Sequence, residues 1–96
     1  GVYGERMQRI AATYGIATTR VTAPWGAALD LAALDAALAS APHTHFAVVH
    51  HETTTGRLND LHALGALCAR HGVRMLLDGV SSFGAEDIAF GTLPIA

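Results

Sequence analysis

Two polar clusters carry residue types suited to binding or chemistry. His50-His51-Glu52-Thr53-Thr54-Thr55 begins at the end of the apolar run Phe46–His50, and Asp78, with Ser81 and Ser82, follows the run Val73–Leu77. Three consecutive hydroxyls ahead of Gly56 suit a phosphate or phenolate oxygen, although the same residues also make an ordinary Ser/Thr turn. Asp78 is the sharper feature. A carboxylate at the end of a buried apolar run is costly unless donors or a cation satisfy it. It therefore caps a loop, pairs with an arginine, or meets a positively charged group on a ligand. Tyr3, between Val2 and Gly4, stands at the entrance to the first helical pattern.

Other reactive residue types point nowhere in particular. His43 and His45 flank Thr44 and His50 adjoins His51, but no Cys/His set has the spacing of a zinc site. No metal is expected. His62 and His71 belong to the surface of a helix, Tyr14 to a core stripe, and Trp25 to the packing of a loop. The six arginines are scattered, and the chain has no lysine. No amine is therefore present that could form a Schiff base.

Hydrophobic periodicity supplies the elements that must position these residues. Met7, Ile10, Ala11 and Tyr14 mark one face of an amphipathic helix, with Gly15 as its stop. Ala17–Thr22 is rich in β-branched residues and reads as a strand, broken by Pro24-Trp25-Gly26. Asp30 is placed to cap a second helix with Leu31, Leu34 and Leu38 on one stripe, ended by Pro42. Phe46–His50 reads as a strand buried on both faces. Asn59 or Asp60 caps a third helix with Leu61, Leu64, Leu67 and Cys68 inward, and Gly72 closes it. Val73–Leu77 is a further buried strand, ended by Asp78-Gly79. One helical turn near Glu86 and a strand starting near Pro94 complete the pattern.

Helices alternating with strands over short connections imply an α/β fold with a mostly parallel sheet flanked by helices. In such sheets ligands bind beyond the carboxyl ends of the strands. Parallel pairing of the two buried strands would bring the hydroxyl cluster and Asp78 to one edge.

Composition narrows the class. The 96 residues have a formal charge of −2, are 51% hydrophobic and only 15% charged, and contain one cysteine. Such a chain is neither disordered, nor a disulfide scaffold, nor a basic nucleic-acid binder. No apolar run approaches the ~18 residues of a membrane span, and the first residues do not read as a signal peptide. A cytoplasmic location is expected. A small domain has much surface and is expected to carry more charge than this, so the chain reads as a slice through a larger α/β domain.

Taken together, Tyr3-Gly4-Glu5-Arg6, Val49-His50-His51-Glu52-Thr53-Thr54-Thr55-Gly56 and Asp78-Gly79-Val80-Ser81-Ser82-Phe83-Gly84 resemble class V aminotransferases, fold type I enzymes that use pyridoxal 5′-phosphate. The resemblance runs along nearly the whole chain and keeps order and spacing. It implies that residues 1–96 are a central fragment of the large cofactor-binding domain. That fragment lacks the Schiff-base lysine segment, the upstream phosphate loop and the C-terminal small domain.

The resemblance also gives residues their roles. Asp78 matches the acid that pairs with the pyridinium nitrogen, and Val80 the residue packed on one face of the ring. Tyr3 matches the aromatic on the other face, and Thr53 the hydroxyl bonded to the phenolate oxygen. His51 receives no role. The implied reaction is transfer of an amino group from a small amino donor to a 2-oxo acid by a homodimer. Within the family, the strings are most similar to those of enzymes acting on 2-aminoethylphosphonate and pyruvate. Alanine–glyoxylate and serine–pyruvate enzymes are the alternative. The rival from another class is a non-catalytic α/β module that binds a partner or a nucleotide.

Overall fold

A computed structural model describes residues 1–96. Helix α1 spans Val2–Thr13 and helix α2 Leu31–Ala39; strand β1 runs from His45 to Val49. Two short strands, β2 (His51–Glu52) and β3 (Arg57–Leu58), form an antiparallel hairpin. Helix α3 (Leu61–His71) then leads into strand β4 (Arg74–Asp78), which pairs with β1 in parallel, from His45↔Arg74 to Val49↔Asp78. On the other side of β4, Met75 bridges Ile95 in parallel, with Met75 N–H bonded to the Pro94 carbonyl at 2.8 Å. The expected strand near Pro94 thus starts beside β4.

Local chemistry accounts for the helix ends. Asp30 Oδ1 accepts from the N–H groups of Ala32 and Ala33 at the start of α2, and Asp60 Oδ1 accepts from Ala63 N–H at the start of α3. Each such cap contributes about 1 kcal/mol. Gly72 ends α3 at φ +66°, a left-handed conformation that glycine adopts without steric cost.

The core lies between one face of the sheet and helices α2 and α3. Leu34 of α2 and Leu61, Leu64, Leu67 and Cys68 of α3 are buried, together with Val48 and Met75 of the strands. Full burial of each leucine contributes about 1.5–3 kcal/mol. Asp35 on α2 accepts from Arg70 Nη2 and His71 Nε2 on α3, both at 2.6 Å, and ties the two helices at their rim. His71 is therefore half-buried rather than exposed.

Several sequence expectations need correction. Residues 17–22 form no strand. Their β-branched side chains favour extended backbone, but none of their backbone groups bonds β1 or β4, and without a ladder an extended segment is not a strand. It is held instead by Val21 packing on the core and by an exposed Arg20–Glu5 ion pair.

Helix α1 begins at Val2, so Tyr3 lies within its first turn and not ahead of it. Its half-buried face is Gly4, Met7, Gln8 and Ala11, whereas Ile10 and Tyr14 are exposed. The helix therefore turns toward the sheet a face other than the one its apolar periodicity marks. Leu31 and Trp25 are also exposed, and the segment near Glu86 is a turn without helix.

Candidate functional site

The parallel pairing of β1 and β4 sets Val49 opposite Asp78, so the chain leaves both strands at the same edge. From there the two loops are tied to one another. His50 N–H donates to the Asp78 carbonyl at 2.9 Å, and the Ser81 hydroxyl donates to the His51 carbonyl at 2.6 Å. His50 Nδ1 and Ser82 Oγ share a buried hydrogen bond of 2.8 Å. Asn59 returns the hairpin to the strand, its side chain donating to the Val49 carbonyl and its N–H to that of His50, both at 2.8 Å.

Asp78 is half-buried at the tip of β4. Its Oδ1 accepts from Val80 N–H at 3.1 Å, a loop-capping bond. No arginine pairs with it, since the ion pairs of the chain are Arg20–Glu5, Arg70–Asp35 and His71–Asp35. Asp78 lines an open cleft of about 280 Å³ whose other walls, Met7, Leu76, Leu77, Ile95 and Ala96, are apolar. Val80, immediately beyond, is 94% exposed.

Helix α1 brings Tyr3 to this edge. Tyr3 lies four residues before Met7, hence one turn (~5.4 Å) along the same side of the helix, and Met7 shares the cleft with Asp78. The start of α1 abuts the hairpin so closely that a Cβ at Gly1 would collide with the Glu52 carboxylate. Glu52 is itself buried and accepts from the Thr54 hydroxyl at 2.8 Å.

The hydroxyl cluster is a turn in which the side chains differ. Thr55 Oγ1 donates to the Glu52 carbonyl and accepts from Arg57 N–H, and Gly56 takes φ +70°. Thr54 is engaged with Glu52. The hydroxyl of Thr53 is exposed and has no partner within the chain.

Apart from His50 and His71, whose partners are Ser82 and Asp35, the histidines are engaged by neighbours or exposed. His43 Nε2 bonds the Ala37 carbonyl and His45 Nδ1 the Thr44 hydroxyl. No three His, Cys, Asp or Glu side chains gather where they could hold a metal ion. Burial pushes the His50 imidazole below its ordinary pKa, against the opposing pull of Glu86. Burial likewise pushes the Cys68 thiol up, which leaves it inert as a nucleophile.

Asp78, Tyr3, Thr53 and Val80 thus all lie on elements that meet at one sheet edge. His50, Glu52 and Ser82, expected only as members of the polar clusters, and Asn59, expected as a possible helix cap, instead tie those elements together. A histidine ending a buried run and a serine four residues after the strand-end acid were the only available hints.

The donor set fits a flat heteroaromatic cation. It combines a half-buried carboxylate that lacks a cation, apolar walls, an aromatic ring on an adjoining helix and one unengaged hydroxyl. Asp78 and the apolar walls are compatible with the ring of pyridoxal phosphate, whereas Tyr3, Thr53 and Val80 do not line the cleft itself.

Comparisons with known proteins bear on the same point. The family model for class V aminotransferases matches residues 5–95. The chain is 42% identical over 96 residues to a 2-aminoethylphosphonate–pyruvate transaminase of Aeromonas hydrophila, covering 99% of this chain and 25% of that protein. It is 45% identical over 92 residues to the enzyme of the same name from Burkholderia ambifaria, covering 93% and 24%. Among solved structures, an alanine–glyoxylate aminotransferase from Nostoc sp. superposes with a TM-score of 0.86 at 32% identity, covering 97% of this chain and 25% of that one. The chain therefore spans about a quarter of the length of the relatives it matches.

Proposed function

The chain belongs to the class V aminotransferase family, and on that premise we propose that it is part of a pyridoxal phosphate-dependent transaminase. The reaction assigned is transfer of the amino group of 2-aminoethylphosphonate to pyruvate, giving phosphonoacetaldehyde and alanine. Residues 1–96 are the central part of its large cofactor-binding domain, and the working enzyme is a homodimer. The observation that carries the reading is Asp78, a carboxylate at the end of a parallel strand, in an apolar cleft and without a cation of its own.

Each residue has a physical task in this reading. When bound, the cofactor supplies an electron sink for the electrons released at the amino-bearing carbon of the substrate. Asp78 holds the proton on the ring nitrogen, because its negative charge in a partly apolar setting favours the protonated form. Val80 and Tyr3 would supply apolar and aromatic contacts to the ring and exclude water from it, stacking on Tyr3 contributing about 0.5–1.5 kcal/mol beyond burial. Thr53 Oγ1 donates to the phenolate oxygen. The chain has no lysine, so these residues supply ring contacts and not the covalent amine.

The substrate assignment is supported by the relatives that share 42% and 45% identity and are named for 2-aminoethylphosphonate and pyruvate. The Nostoc neighbour, named for alanine and glyoxylate, supports the second reading at lower identity. Kinetics of the full-length protein separate the two. Alanine formed from 2-aminoethylphosphonate and pyruvate supports the first. Activity with alanine and glyoxylate alone overturns it in favour of the second.

A further inference from the structure

One residue grips the cofactor-facing loop at both ends. The backbone N–H of His50 bonds the carbonyl of Asp78, where the loop begins, and its imidazole bonds the hydroxyl of Ser82, where the loop ends. Between these anchors lie Asp78, Gly79, Val80 and Ser81. His50 and Ser82 are 32 residues apart in sequence, only 4% and 0% exposed, and on the two different loops that form the sheet edge.

We propose that the buried His50–Ser82 pair is a positioning device that locks the Asp78–Ser82 loop against the Thr53 hairpin, and so sets the position of the Asp78 carboxylate and of Val80. The pair's relevance to the cofactor rests on the proposed function; its geometry does not.

Three features carry it. First, a hydrogen bond between two buried side chains is strongly specified, because displacement of either leaves a buried polar atom without a partner. Second, the loop it closes has few other ties. Asp78 Oδ1 accepts from Val80 N–H, the N–H groups of Ser82 and Phe83 bond the Gly79 carbonyl, and the Ser81 hydroxyl bonds the His51 carbonyl. The last of these connects the loop to the hairpin, with a longer contact of 3.4 Å between His51 Nδ1 and the Ser81 carbonyl beside it; both are exposed, whereas the His50–Ser82 bond is buried. Third, Gly79 follows Asp78 directly, so the carboxylate would otherwise sit beside a freely rotating backbone position. Burial pushes the imidazole below its ordinary pKa. Glu86, which favours its charged form, and His51, which opposes it, are the titratable groups acting on it.

The test uses the full-length protein with three substitutions. Ser82→Ala removes the hydroxyl. His50→Phe keeps the ring volume but not the polar atom. His50→Asn places an amide where Nδ1 was and serves as the conservative rescue. Hydrogen exchange of the amides of residues 79–83, measured without cofactor, reads loop order directly. Pyridoxal phosphate titration followed by its bound absorbance reads the consequence at the site.

Ser82→Ala and His50→Phe are expected to raise exchange in the loop and to weaken cofactor retention, each roughly ten-fold for one buried hydrogen bond. They should lower kcat more than they raise KM for the amino donor. His50→Asn should restore most of both. Wild-type exchange in Ser82→Ala and His50→Phe would overturn the proposal, as would a His50→Asn variant no better than His50→Phe. If the unmodified protein fails to bind pyridoxal phosphate, the functional reading falls, while the exchange data still decide whether the pair orders the loop.

Discussion

Replacing Asp78 with asparagine isolates the charge that the functional reading requires. The side-chain volume is nearly unchanged, and the amide oxygen can still accept from Val80 N–H as Asp78 Oδ1 does at 3.1 Å. No salt bridge is broken, because Asp78 makes none within the chain. Stability without cofactor should therefore remain within about 0.5 kcal/mol of the unmodified protein. What is lost is a charge-assisted hydrogen bond to the ring nitrogen, worth about 1.5–3 kcal/mol. That corresponds to a roughly 10- to 150-fold weaker affinity for pyridoxal phosphate. Turnover should fall by orders of magnitude, because without the counter-charge the ring nitrogen loses its proton and the electron sink is weakened. The assay is a cofactor titration by absorbance on full-length protein, with thermal unfolding of the cofactor-free form as the control and alanine formation as the rate. Unchanged affinity together with near-normal turnover would remove Asp78 from the site and refute the reasoning. The Asp78→Ala change should behave alike in rate but also release the loop, since it discards the bond to Val80.

Two further outcomes are expected. Thr53→Val should cost one hydrogen bond of about 0.5–1.5 kcal/mol, hence a few-fold loss of cofactor affinity and a shift in the bound absorbance. Because the Thr53 hydroxyl is exposed and has no partner in the chain, cofactor-free stability should not change, and an unaltered spectrum would show that Thr53 does not touch the ring. Asp35→Asn should flatten the acid limb of unfolding. His71, followed by Arg70, holds the Asp35 carboxyl below its ordinary value of 3.8. A depressed carboxylate stabilises the folded state above its unfolded pKa, and that contribution disappears as pH falls from about 4 through the folded value. A pH–stability profile unchanged by the substitution would show that the bridge between α2 and α3 contributes nothing.

The parallel sheet and the helix ends were legible because each depends on residues close in sequence. Asp30, Asp60 and Gly72 act on backbone groups within four positions of themselves, and the buried runs around Val48 and Met75 announce strands. Parallel pairing then followed from the alternation of elements, and with it the meeting of Asp78 and the hydroxyl cluster at one edge. The unpaired 17–22 segment was not legible in the same way, because a β-favouring composition reports on a residue and not on whether a neighbouring strand is there to bond it. Likewise the inward face of α1 depends on how the helix is set against the sheet, which the order of apolar residues along it does not encode.

His50 and Ser82 were hidden for a third reason. Their bond closes over 32 residues, and no local pattern encodes a contact at that range. The same edge also breaks the usual sorting of residues by polarity. Asp78 is half-buried among apolar walls while Val80, two residues on, is almost wholly exposed. Natural sequences keep local choices consistent with the fold, and violations concentrate where function requires them. A half-buried carboxylate without a cation in the chain and an exposed valine two residues on depart from the rules of a stable surface, and under the proposed function they would meet a ring with a positive edge and apolar faces. That pairing, and not any single motif, is the physical ground of the cofactor proposal at this edge.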